Sequence, residues 1–290
     1  MEVNGKRWPI KAVHLKPEFR FDSWPHTIFM KTPALKSFLN AVGKVVHHLN
    51  TVVVGLSGVE SGTCKKPSTL DISWTPSDLT SSSRSARAYT LKSSIVFLAA
   101  EISSYVHATL KSPPCKTISL PKDADKAKKL ERVVNHFNIT SPDLALGPLL
   151  LLHWRNRIIH HNSNAQLTKS ERSQFVAASS EIMAKYKNLD PTQTLEHFTK
   201  GTPTLKDVSS LLAMSINCAK AIDSALPEPT SMDELLTWIA AMGLEQKFDR
   251  AKRVAENSAN SEKSMRNFFT THCPCLVEYY VLYNASDPEQ

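Results

Sequence analysis

Apolar residues along this chain recur mostly at helical spacing. After Thr32-Pro33, an N-cap followed by a proline at the first helical position, Leu35, Phe38, Leu39, Val42, Val45, Val46 and Leu49 share one helix face. A second helix is expected over residues 86–110, with Leu91, Ile95, Leu98, Ile102 and Val106 as its apolar stripe. Ser112-Pro113-Pro114 stops it. A third covers 123–137, and Ser141-Pro142 opens a fourth that runs into "LLHWRNRIIHHN", residues 151–162. Further helices are expected near 168–187, 204–224, 231–242, 244–257 and 262–271, with Ser231 and Glu234 spaced as a capping box. The pattern predicts an all-α fold.

Two stretches break the pattern. The first 32 residues, punctuated by Trp8-Pro9, Lys16-Pro17 and Trp24-Pro25, read as an irregular arm with a short strand at Phe19–Phe21. Residues 55–85 are rich in Ser, Thr, Gly and Pro and read as a long loop or hairpin, with "TLDISW" as a candidate strand. The expected organisation is therefore an arm (1–32), a helical domain (33–190) carrying that insertion, and a C-terminal helical extension (191–290).

Composition narrows this further. Only 8 glycines in 290 residues fit helices better than glycine-turned sheets. No apolar run approaches the roughly 20 residues that span a bilayer, and the N-terminus lacks an apolar signal core, so a cytoplasmic location is expected. Five scattered cysteines then read as reduced thiols. "HCPC" (272–275) has no second ligand pair at zinc spacing, and neither a metal nor a cofactor is expected. A net charge of +8 favours polyanionic partners. Motifs of P-loop, Rossmann, zincin and α/β-hydrolase type do not occur.

The stretch 151–162 carries the candidate chemistry. On a helical wheel Leu151, Leu152, Trp154, Ile158 and Ile159 form one apolar arc, while His153, Asn156 and His160 lie on the opposite edge. Arg155 projects from within the arc, where a lone guanidinium is costly. Glu101, a single acid in "VFLAAEISSYV", is its expected partner.

Arg155-Asn156-Arg157-Ile158-Ile159-His160 resembles the R-N-x-x-x-H motif of the HEPN superfamily, helical bundles many of which are metal-independent endoribonucleases. The resemblance extends over about residues 86–189. It implies a HEPN-like bundle, RNA as substrate, a homodimer with a composite active site, and a toxin or antiphage role with an antitoxin or regulatory partner. By resemblance, His160 assists proton transfer, Arg155 stabilises the phosphate, Asn156 orients the histidine or the second subunit's arginine, and Glu101 holds Arg155. His161 is a supporting residue and Arg157 a substrate contact. A catalytically silent module that binds nucleotide, RNA or protein is the alternative. The residue types suit such chemistry, because histidine titrates near neutrality and the arginine fork binds two phosphate oxygens.

Overall fold

The structure, a computed structural model, describes residues 32–160, 162–257, 261–277 and 279–281. The N-terminal arm with its expected strand, and His161, lie outside the described residues. Among those described the chain is all-α, and "TLDISW" is irregular rather than a strand.

Two long helices begin the fold, α1 (Pro33–Glu60) and α2 (Leu79–Leu110). Thr32 caps α1, its hydroxyl oxygen accepting from the Leu35 N–H at 3.2 Å. Asp78 caps α2 through bonds from the Thr80 and Ser81 N–H groups. That cap lies eight residues before the expected start of α2, and α1 runs five residues past Gly55, so the irregular segment shrinks to residues 61–78. Serine and threonine runs at both ends were absorbed into helices, where hydroxyls such as those of Ser57 and Thr90 bond back to carbonyls one turn earlier.

A 3-10 turn (Pro113–Cys115) follows, then α3 (Lys126–His136) and α4 (Pro142–Ile159). α4 passes through Gly147-Pro148. Gly147 permits close approach to a later helix, α8 (Leu205–Ala225): a Cβ there would stand 2.8 Å from Met214 Cβ and 2.4 Å from its sulfur. Short helices α5 (Lys169–Ala177), α6 (Ser179–Lys185) and α7 (Pro191–Lys200) connect α4 to α8. α7 was not expected, although Asp190-Pro191 has the residues of an N-cap and first position, and Asp190 does accept from the Thr192 N–H at 2.8 Å.

α1 to α8 enclose one apolar core that includes Phe38, Ile95, Leu150, Trp154, Phe198 and Leu211. α8, beyond residue 190, contributes fully to it through Val208, Met214, Cys218 and Ile222. A second core gathers Leu235, Trp238 and Ile239 from α9 (Met232–Ala241), Ala255 from α10 (Glu245–Glu256), Phe268 and Phe269 from α11 (Ser261–His272), Cys273, and Leu276 from the 3-10 turn that follows (Pro274–Leu276). Ile118 and Phe137 pack against both. No helix among the described residues is long and apolar enough to cross a membrane.

Candidate functional site

Leu149, Leu150, Leu151, Leu152 and Trp154 are buried and hold α4 in the core, Trp154 meeting Phe198 edge-to-face at 5.6 Å. One turn later the helix leaves the interior: Ile158 is half-buried and Ile159 is 41% exposed. The apolar arc read from the sequence is thus sealed only through Trp154. Arg155 therefore sits at the edge of the core, half-buried, and does not need a buried counter-ion.

Its expected partner lies elsewhere. Glu101 lines a groove between α1 and α2 and forms no ion pair with Arg155. The reason is rotational. Ser93, Phe97 and Glu101 succeed one another at single-turn spacing along the groove wall. There Glu101 is half-exposed and water can solvate it. Arg155 Nη1 instead donates to Asn156 Oδ1 at 3.1 Å. Asn156 thus steadies the arginine rather than a histidine, and no carboxylate among the described residues neutralises Arg155.

His160 is the C-cap of α4, with φ −115° and ψ 100°, so it stands just outside the helix. Its N–H still donates to the Asn156 carbonyl at 2.9 Å, keeping the expected one-turn relation in the backbone. The ring is exposed, and no other described side chain bonds to it.

Arg157 is already engaged. Nη1 and Nη2 donate to the Phe198 and Thr199 carbonyls at 3.3 and 3.4 Å, and the guanidinium lies 4.7 Å above the Phe198 ring. It caps the carbonyl end of α7, which accounts for its presence without a substrate. His153 is half-buried with an unbonded Nδ1. Burial lowers its pKa, against the opposing pull of Asp125, Glu171 and Glu131.

Two polar constellations are assembled by side chains from separate elements that the sequence alone does not bring together. Asp143, in the first turn of α4, accepts from Ser141, from Lys185 Nζ at 2.5 Å and from Tyr186 Oη at 2.5 Å. Burial would raise its pKa, but the bonds from Lys185, Ser141 and Tyr186 prevail and hold it below the usual value. Asp207 Oδ2 accepts from His197 Nδ1 at 2.8 Å, from the Thr204 N–H at 2.8 Å and from its hydroxyl at 2.7 Å. Thr204 and Asp207 form a capping box legible as T-x-x-D, but the histidine arrives only through the turn between α7 and α8. "HCPC" divides, Cys273 entering the second core while the His272 ring packs 5.3 Å from Phe268. Among the described residues no three His, Cys, Asp or Glu side chains gather as a metal site would require.

The site is thus a half-buried arginine steadied by asparagine, one turn from an exposed histidine at a helix end. No family model, curated protein or solved structure matches the chain.

Proposed function

We propose that the chain is a HEPN-type, metal-independent endoribonuclease whose site is Arg155, Asn156 and His160, acting in the cytoplasm as a toxin or antiphage effector. One observation carries this reading: Arg155, which no carboxylate among the described residues neutralises, lies at a partly open helix end that also carries the exposed ring of His160. A phosphodiester needs both. The substrate's 2′-hydroxyl attacks phosphorus, its proton passes to a base, the bond to the 5′-oxygen breaks, and that oxygen takes a proton from an acid. Arg155 stabilises the phosphorane through the donors that Asn156 leaves free. His160 serves one proton transfer, and a second copy supplies the other histidine. The products carry 2′,3′-cyclic phosphate and 5′-hydroxyl ends.

The test is incubation of total RNA in EDTA with wild type and with the Arg155→Ala and His160→Ala variants. Cleavage by wild type alone supports the assignment. Cleavage that both variants retain would place the site elsewhere, and none from folded wild type would remove the nuclease reading. A silent RNA-binding module is the second reading, favoured by the lack, among the described residues, of a side chain that orients His160. In that case RNA binds in a salt-sensitive, Arg155-dependent manner without being cut.

A further inference from the structure

Arg172, on α5, is half-buried, and its Nε is enclosed by protein with no hydrogen-bond partner among the described residues. Its own helix offers none. The positions one turn away are Thr168, Lys169, Phe175 and Val176, none of them acidic. Glu171, its neighbour in sequence, is turned to the Thr168 N–H at 2.6 Å as part of the cap of α5. A half-buried guanidinium left without an acceptor is unfavourable, so its surroundings matter.

Those surroundings are a pocket of about 440 Å³ between α5 and α7. Arg172, Thr192 and Lys200 line it, with Val176 and Leu195 as apolar walls. Glu196 lies there too, but it meets Lys200 at 3.5 Å rather than Arg172, and both side chains are largely exposed. An exposed pair of this kind is worth little and opens readily. The pocket adjoins the motif helix. Arg157, three residues before His160, donates to the carbonyl of Thr199 at 3.4 Å, and Thr199 lines the pocket.

We propose that this pocket holds a backbone phosphate of the RNA next to the one that is cleaved, on the fork of Arg172, with Lys200 leaving Glu196 to join it. The inference rests on the proposed nuclease for its substrate, though not for its geometry. A planar fork with free donors matches two phosphate oxygens, and a mobile ammonium beside it adds a second charge. Such a contact fixes the strand and its register, and Arg155 is left for the reacting phosphate.

The test is the binding of a short fluorescein-labelled single-stranded RNA, followed by anisotropy along a salt series. The full chain carries His160→Ala so that the probe stays intact. In that background Arg172→Gln should weaken binding about tenfold and reduce the slope of log affinity against log salt by about 0.7. Lys200→Gln should shift both in the same direction, and Glu196→Gln, which releases Lys200, should tighten binding. Lys200 and Glu196 are 66% and 60% exposed, so these two variants decide the matter even if Arg172→Gln does not fold. Unchanged affinity and slope in Arg172→Gln and Lys200→Gln would overturn the subsite. So would a fall in melting temperature without tighter binding in Glu196→Gln, which would make Glu196 the partner of Arg172. If wild type cuts RNA while these variants bind it unchanged, the subsite alone fails. Arg172-dependent binding without cutting by wild type removes the nuclease alone, and no binding by any form removes both.

Discussion

At the scale of residues, the interactions around α4 separate structural from chemical roles. Asp143 is 1% exposed, and its side chain is held by three donors. Because its folded-state pKa lies below the unfolded one, its contribution is complete at neutral pH. That contribution is lost as pH falls through the unfolded value, about 3.9, toward the lower folded one. Asp143→Asn should therefore lower the urea midpoint at pH 7 and narrow its difference from wild type in acid. A constant difference would mean that the carboxylate charge does not matter. Arg157→Ala should cost about 1–2 kcal/mol by uncapping α7 and leaving Phe198, read as a fall in melting temperature. RNA affinity should hold; a selective loss of affinity would return Arg157 to the substrate.

Among elements, the contact of α4 with α8 is the tightest constraint on where the motif helix sits. Gly147→Ala gains up to about 1 kcal/mol of helix propensity. A Cβ at 2.8 Å from Met214 Cβ overpacks, at about 1–3 kcal/mol. The clash should win, with reduced stability in denaturant titration. Met214→Ala should restore only part of it, because the Cβ contact remains. Full rescue would show that the thioether alone sets the spacing. Helices were legible where a cap preceded a long apolar stripe or the stripe itself was long, as at Thr32-Pro33 and along Leu91 to Val106, whereas the short α7 went unread despite its Asp190-Pro191 cap. The start of α2 was not legible, since its first turns are mostly serine and threonine, which propensity alone places in loops. Of the candidate site, the Arg155-Asn156-His160 grouping followed from spacing. The Glu101 pairing did not follow, because it depended on which side of α2 faces α4. A one-dimensional pattern reports that a charge is unusual but not which neighbour it meets.

For the whole molecule, the question is whether the two cores open together. The second core is smaller, and Ile118 and Phe137 pack between it and the first. A unit with less buried apolar area should open at lower denaturant. The cysteines report this directly. Cys64 is exposed, Cys273 and Cys115 belong to the second core with Cys275 packed against it, and Cys218 belongs to the first. Burial pushes the Cys218 and Cys273 thiols up to about 12, and burial with Cys273 and Asp223 nearby does the same for Cys275. A thiolate-selective alkylating reagent therefore reaches them only after local opening. Pulsed alkylation along a urea series should modify Cys64 at once, then Cys115, Cys273 and Cys275 together, and Cys218 last, in step with the fluorescence change of Trp154. Simultaneous modification of Cys115, Cys218, Cys273 and Cys275 would make the cores one cooperative unit. Early opening of the second core alone would leave α4 and its Arg155-Asn156-His160 end intact, because every helix packed around that end belongs to the first.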